Sequence, residues 1–103
     1  MSVIMEFAMF PTNKDHGVSE FVARILTIVQ ATGYEYQLTP MGTIVETPEL
    51  SDALLVIEKA NELLLPDCHR VYCTAKFDIR MGDKKRMKQK TDSVKNRIGD
   101  VNT

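Results

Sequence analysis

The chain has 103 residues, with 13 basic and 14 acidic side chains and a net charge of −1. That is the length of one domain, 1–103, and too short for two substantial ones. An apolar fraction of 44% and a charged fraction of 26% exclude wholesale disorder, and two cysteines exclude a disulfide framework. No stretch approaches the roughly 20 consecutive apolar residues of a membrane-spanning helix, so no membrane partner is expected. The apolar start, Met1 to Phe10, has no Lys or Arg before it and carries Glu6 in its middle, which suits a strand better than a secretory signal. With Cys68 and Cys73 expected to be reduced, the expected location is cytoplasmic.

Residues 2–11 are rich in β-branched, aromatic and Met residues and stop at Pro11. Val3, Met5, Phe7 and Met9 alternate with Ile4, Glu6, Ala8 and Phe10, so both faces are largely apolar, as in a central strand. Residues 12–17 read as a polar loop. Over residues 18–32, Val18, Phe21, Val22, Ile25, Leu26 and Val29 recur at helical spacing. Ser19 or the Gly17 region would cap this helix, and Gly33 would close it. Residues 34–47 read as two strands broken by Pro40, Met41 and Gly42, an antiparallel hairpin. Pro48 then opens a helix over 49–65, with Leu50, Ala53, Leu54, Ile57, Asn61 and Leu64 as its buried stripe. Pro66 stops it.

Residues 70–80 show five clean alternations. Val71, Cys73, Ala75, Phe77 and Ile79 point one way, and Tyr72, Thr74, Lys76, Asp78 and Arg80 the other. Phe77 is therefore expected in a core with Phe7, Val22, Ile25 and Leu54. Residues 84–98 form a last, basic helix packing through Met87, Val94 and Ile98. The order β-α-β-β-α-β predicts an α+β class, ferredoxin-like antiparallel sheet with two helices on one face and an extra C-terminal helix. The sheet's other face, holding Ile4, Ala8 and Phe10, is left open to a ligand or a second subunit.

Charge is divided unevenly. Residues 1–79 hold five basic and eleven acidic side chains, and residues 80–103 hold eight basic and three acidic. The basic segment has no aromatic residue after Phe77, hence no stacking platform for nucleic acid, and it reads as the solvated face of a helix. No catalytic signature, P-loop or dinucleotide fingerprint is present, so neither an enzyme nor a cofactor is indicated. Cys68, His69 and Cys73 fit no common zinc spacing. The segment Leu38-Thr39-Pro40-Met41-Gly42-Thr43 is more informative. Turn formation explains Pro40 and Gly42, but a methionine and two hydroxyls on a rigid hairpin tip also suit a small ligand.

These residues carry a resemblance. The strand ending in Pro11, the helix start Val18-Ser19-Glu20-Phe21-Val22, the run Tyr36-Gln37-Leu38-Thr39-Pro40-Met41-Gly42-Thr43 with Ile44-Val45-Glu46, and Arg70-Val71 leading to Lys76-Phe77-Asp78-Ile79-Arg80 occur in order across residues 2–98. The chain resembles the small thiamine-binding, YkoF-like family. The resemblance implies a ferredoxin-like subunit, a homotetramer built as a dimer of dimers, binding of thiamine or its hydroxymethylpyrimidine moiety, and no established catalysis. On that reading Glu6, Glu46 and Asp78 would balance the thiazolium charge or accept from the amine. Thr39 and Thr43 would bond ring nitrogens, Met41 would supply apolar contact, and Tyr36 or Phe10 would stack. Two other readings remain at this point. One is a structural or regulatory oligomerisation module without a ligand, and the other is an enzyme using Glu6, Asp78 or Lys76 as acid or base.

Overall fold

In a computed structural model, the protein is described over residues 1–12, 19–82 and 86–103. The expected loop at 13–17, Val18 and the start of the last helix at Lys84 and Lys85 lie outside the described residues. The elements run β1 (Ser2–Pro11), α1 (Ser19–Thr32), β2 (Glu35–Thr39), β3 (Gly42–Thr47), α2 (Leu50–Leu64), β4 (Val71–Arg80) and α3 (Arg86–Ile98). The sheet order is β2-β3-β1-β4, with all neighbours antiparallel. This is the ferredoxin-like α+β fold with an added C-terminal helix.

Alternation along β1 sends Val3, Met5, Phe7 and Met9 to the face covered by α1 and α2. There they are buried together with Phe21, Ile25 and Val29 of α1 and Ala53, Val56, Ala60 and Leu64 of α2. Cross-strand partners share a face, so Val45 (opposite Met5) and Thr43 (opposite Phe7) belong to this layer too. The helix ends follow from local chemistry. Gly33 takes a φ of +77° after α1, a left-handed position that favours glycine. At the start of α2, the Glu49 N–H donates to the Asp52 carboxylate at 3.1 Å, which satisfies one orphan amide. A single 3-10 turn, Leu65–Asp67, contains Pro66 and ends this helical stretch.

Two core expectations need correction. Phe77 does lie on the helix-covered face, since it pairs with Met5, but it is 38% exposed. β4 is an edge strand, and α2 packs mainly over β3 and β1, so Cys73, Ala75, Phe77 and Ile79 are all exposed. Leu54 is 48% exposed. The helix buries Ala53 and Leu64 as expected, but sets Val56 and Ala60 beside them in place of Leu54, because small side chains there allow a closer approach to the sheet than a leucine would.

Among the described residues, the opposite face is covered at one end, by the start of α3. Arg86 is buried there, its guanidinium donating to the Ser2 carbonyl (2.7 Å), the Ser2 hydroxyl (3.2 Å) and the Asp78 carbonyl (2.7 Å). It also pairs with the Asp78 carboxylate at 3.0 Å. Beyond Met87 the helix is largely exposed. Val94 and Ile98, expected to pack, are exposed at 46% and 71%, because among the described residues α3 is held to the sheet mainly near its start, by Arg86 and Met87 with Lys90 reaching Asp78.

Candidate functional site

The β2–β3 hairpin turns through two residues, Pro40 and Met41, with Thr39 opposite Gly42. Its shape is set locally. The Thr39 hydroxyl donates to the Gly42 carbonyl at 2.9 Å and accepts from the Met41 N–H at 3.2 Å, the self-bonding that makes Thr a turn residue. Gly42 is needed for a different reason: a Cβ there would stand 2.9 Å from the Phe7 carbonyl oxygen. The hairpin base is thus pressed against β1 where β3 begins.

From that point the two strands part. The β1–β3 pairing ends at Phe7 opposite Thr43, whereas β1 stays paired with β4 as far as Pro11. The gap beside residues 8–10 is closed on the other side by the first turns of α1, through Ser19, Val22, Ala23 and Leu26. The result is a cavity of about 650 Å³ whose wall is mostly apolar, within the usual ~300–1,000 Å³ range of small-molecule sites. Thr43 is nearly fully buried in this wall, opposite Phe7, and its hydroxyl has no hydrogen-bond partner among the described residues. Leu38 and Met41 stand at the rim, and Met41 is 85% exposed.

The structure brings three of the six expected site residues, Thr39, Met41 and Thr43, into this one cavity, together with Phe10. Glu6 faces the open side of the sheet, where its carboxylate pairs with Lys76 at 3.0 Å. Glu46 and Asp78 gather elsewhere, around Arg86. Glu46 accepts the backbone N–H of Arg86 (2.8 Å) and of Met87 (3.2 Å), and also the Ser2 hydroxyl. It therefore caps the positive end of α3 from another strand. Burial pushes the Glu46 carboxyl up, but the bonds from Ser2, Arg86 and Met87 outweigh it and hold the group below the usual carboxylate range. Asp78 is held low by its bonds from Lys90 (2.6 Å) and Arg86. Tyr36 is half-buried and accepts from the Gln30 amide at 2.8 Å.

Sequence reasoning missed the α1 side of the cavity, because Val22 and Leu26 sit in the same helical stripe as core residues. It also missed Arg86, whose only trace in the sequence is a place in a basic run. Among the described residues no group of His, Cys, Asp and Glu could hold a metal ion. No helix among them is long and apolar enough to cross a membrane.

The fold and this cavity define a ferredoxin-like α+β chain with a preformed apolar recess under a hairpin. A family model described as Thiamine-binding protein matches residues 5–95, and the chain belongs to that family. Among curated relatives, the UPF0045 protein YqgV of Bacillus subtilis is 40% identical over 82 residues, 75% of this chain and 78% of that one. The UPF0045 protein Mb1933 of Mycobacterium bovis is 30% identical over 94 residues, covering 91% of this chain and 92% of its own. In three dimensions the chain resembles the hypothetical protein MJ1052 of Methanocaldococcus jannaschii, with a TM-score of 0.80 and 24% identity over 90% of this chain and 95% of that one.

Proposed function

We propose that the protein binds thiamine or its hydroxymethylpyrimidine moiety in the cavity beneath the β2–β3 hairpin, and acts as a homotetramer, a dimer of dimers. The observation that carries the ligand reading is the cavity of about 650 Å³ walled by Thr39, Met41 and Thr43, in a chain of the thiamine-binding family. Its chemistry suits an aromatic heterocycle. Phe7, Phe10, Val22, Leu26 and Leu38 offer apolar contact, and the Thr43 hydroxyl offers one donor and two acceptor positions to a ring edge. The described wall holds no Asp, Glu, His, Lys, Arg, Cys or Tyr, so it binds and orients without an acid–base group, which favours binding over catalysis.

The assembly reading rests on β4. This ten-residue strand forms the sheet edge and exposes Tyr72, Phe77 and Ile79, a surface that proteins generally pair or cover. Cytoplasmic action fits the two free thiols, Cys68 and Cys73. Titration calorimetry tests the ligand. Thiamine and the free pyrimidine are expected to release heat with wild type, and Thr43→Val is expected to weaken binding by about 1 kcal/mol, roughly five-fold. Equal affinities would remove Thr43 from the site, and no heat at millimolar concentrations of either compound would refute the ligand. Light scattering tests the tetramer.

A further inference from the structure

Among the described residues, two helical faces have no partner, and they match each other. On α2, the side turned away from the sheet carries Leu54 and Leu55, continues to Leu65, and is interleaved with the exposed acids Glu58 and Glu62. On α3, Val94 and Ile98 form an exposed apolar stripe, with Lys95 and Arg97 beside it. Residues at i, i+3, i+4 and i+7 share a helix face, so each set forms one surface. Glu58, Glu62, Lys95 and Arg97 make no ion pair among the described residues. The signs are opposite, as they are for the acidic body (residues 1–79) and the basic tail (residues 80–103).

One chain cannot close this contact on itself. α2 packs on one face of the sheet, whereas α3 is clamped to the other by Arg86 through Ser2 and Asp78. We infer that the far half of α3 docks on the outer face of α2 in a second copy of this chain, leucines against Val94 and Ile98, Glu58 and Glu62 against Lys95 and Arg97. Exchanged reciprocally, the contact closes on a two-fold axis and gives a finite assembly rather than a filament. The Glu46 cap and the Arg86 clamp fix the angle at which α3 leaves the body, so the arm is presented ready for docking. The inference rests on the homo-oligomeric reading above and names one of its interfaces.

Charge reversal tests it, because a specific pairing is broken from either side and repaired from both. The variants are Glu58→Lys with Glu62→Lys, Lys95→Glu with Arg97→Glu, and all four together. Sedimentation at micromolar protein gives the dissociation constant, and circular dichroism confirms the fold. Each one-sided variant is expected to weaken association at least ten-fold, and the four-fold variant to restore it. An oligomer indifferent to the reversals, or weakened without repair, overturns this interface and leaves the oligomeric reading standing. A monomeric wild type overturns both.

Discussion

Glu46→Gln separates the anchoring of α3 from the stability of the sheet. In the wild type both carboxylate oxygens are engaged by the first turn of α3, one by the Arg86 N–H at 2.8 Å and the other by the Met87 N–H at 3.2 Å. Glutamine keeps one acceptor. Its NH₂ group then faces a backbone donor, and the negative charge at the helix N-terminus is gone. A buried, charge-assisted hydrogen bond contributes about 1.5–3 kcal/mol, and a charge at a helix end about 0.3–1 kcal/mol. The two overlap, so the expected loss is about 2–3 kcal/mol, concentrated on α3. Since α3 meets the rest of the chain mainly at its first turn, it opens as a local unit. Amide hydrogen exchange across residues 86–98 is expected to accelerate roughly 30- to 150-fold, with little change in the β1–β4 ladder. Uniform acceleration over all elements, or none in α3, would refute the assignment of Glu46 as the anchor.

Two further perturbations probe the hairpin and the charge cluster. Gly42→Ala would ordinarily stabilise by about 0.4–1 kcal/mol through the unfolded chain, but here the new methyl meets the Phe7 carbonyl oxygen at 2.9 Å. A net loss of about 1–3 kcal/mol is expected, read as a lower urea midpoint at constant slope, and an unchanged or higher midpoint would refute the close approach. Acid is the second perturbation. Glu46 and Asp78 have folded pKa values below their ordinary ones, so their contribution is complete above the unfolded carboxylate range near ~4 and is lost as pH falls through the depressed folded values. Protection of α3 from exchange, corrected for intrinsic rates, is expected to hold from neutral pH to about 5 and to fail below about 4; a loss on raising pH would contradict the sign.

Much of the architecture was legible because two periodicities dominate this chain. The strand limits at Pro11, Thr39, Thr47 and Arg80 are where alternation stops, and Gly33 and Pro66 mark helix ends for reasons of backbone geometry alone. The misreadings have a common source: periodicity selects a face, not what covers it. In α2, the expected stripe Leu50, Ala53, Leu54, Ile57, Asn61, Leu64 and the buried series Ala53, Val56, Ala60, Leu64 share Ala53 and Leu64 and differ between them. Side-chain size favoured Leu54, whereas close packing on the sheet used Val56 and Ala60 beside Ala53. In β4 the face of Phe77 was readable from alternation, but its exposure follows from the strand's place at the edge, beyond the reach of α2. For the site, the hairpin tip announced itself through Thr39, Pro40 and Gly42. The Arg86 clamp did not, because its acceptors, Ser2 and two atoms of Asp78, come together only when α3 meets β1 and β4.

β3 serves two masters within four residues. Thr43 on one side of the strand lines the cavity, and Glu46 on the other holds α3. Because the pleat sends them to opposite faces, each surface is free to vary while the other stays constant. The lining of the recess could therefore be changed at Val22, Leu26 or Leu38 without loosening the C-terminal arm, and the arm could be refitted without reshaping the recess. The strand works as a partition between two surfaces, so substitutions in the recess and substitutions that refit the arm are separable in an engineered variant.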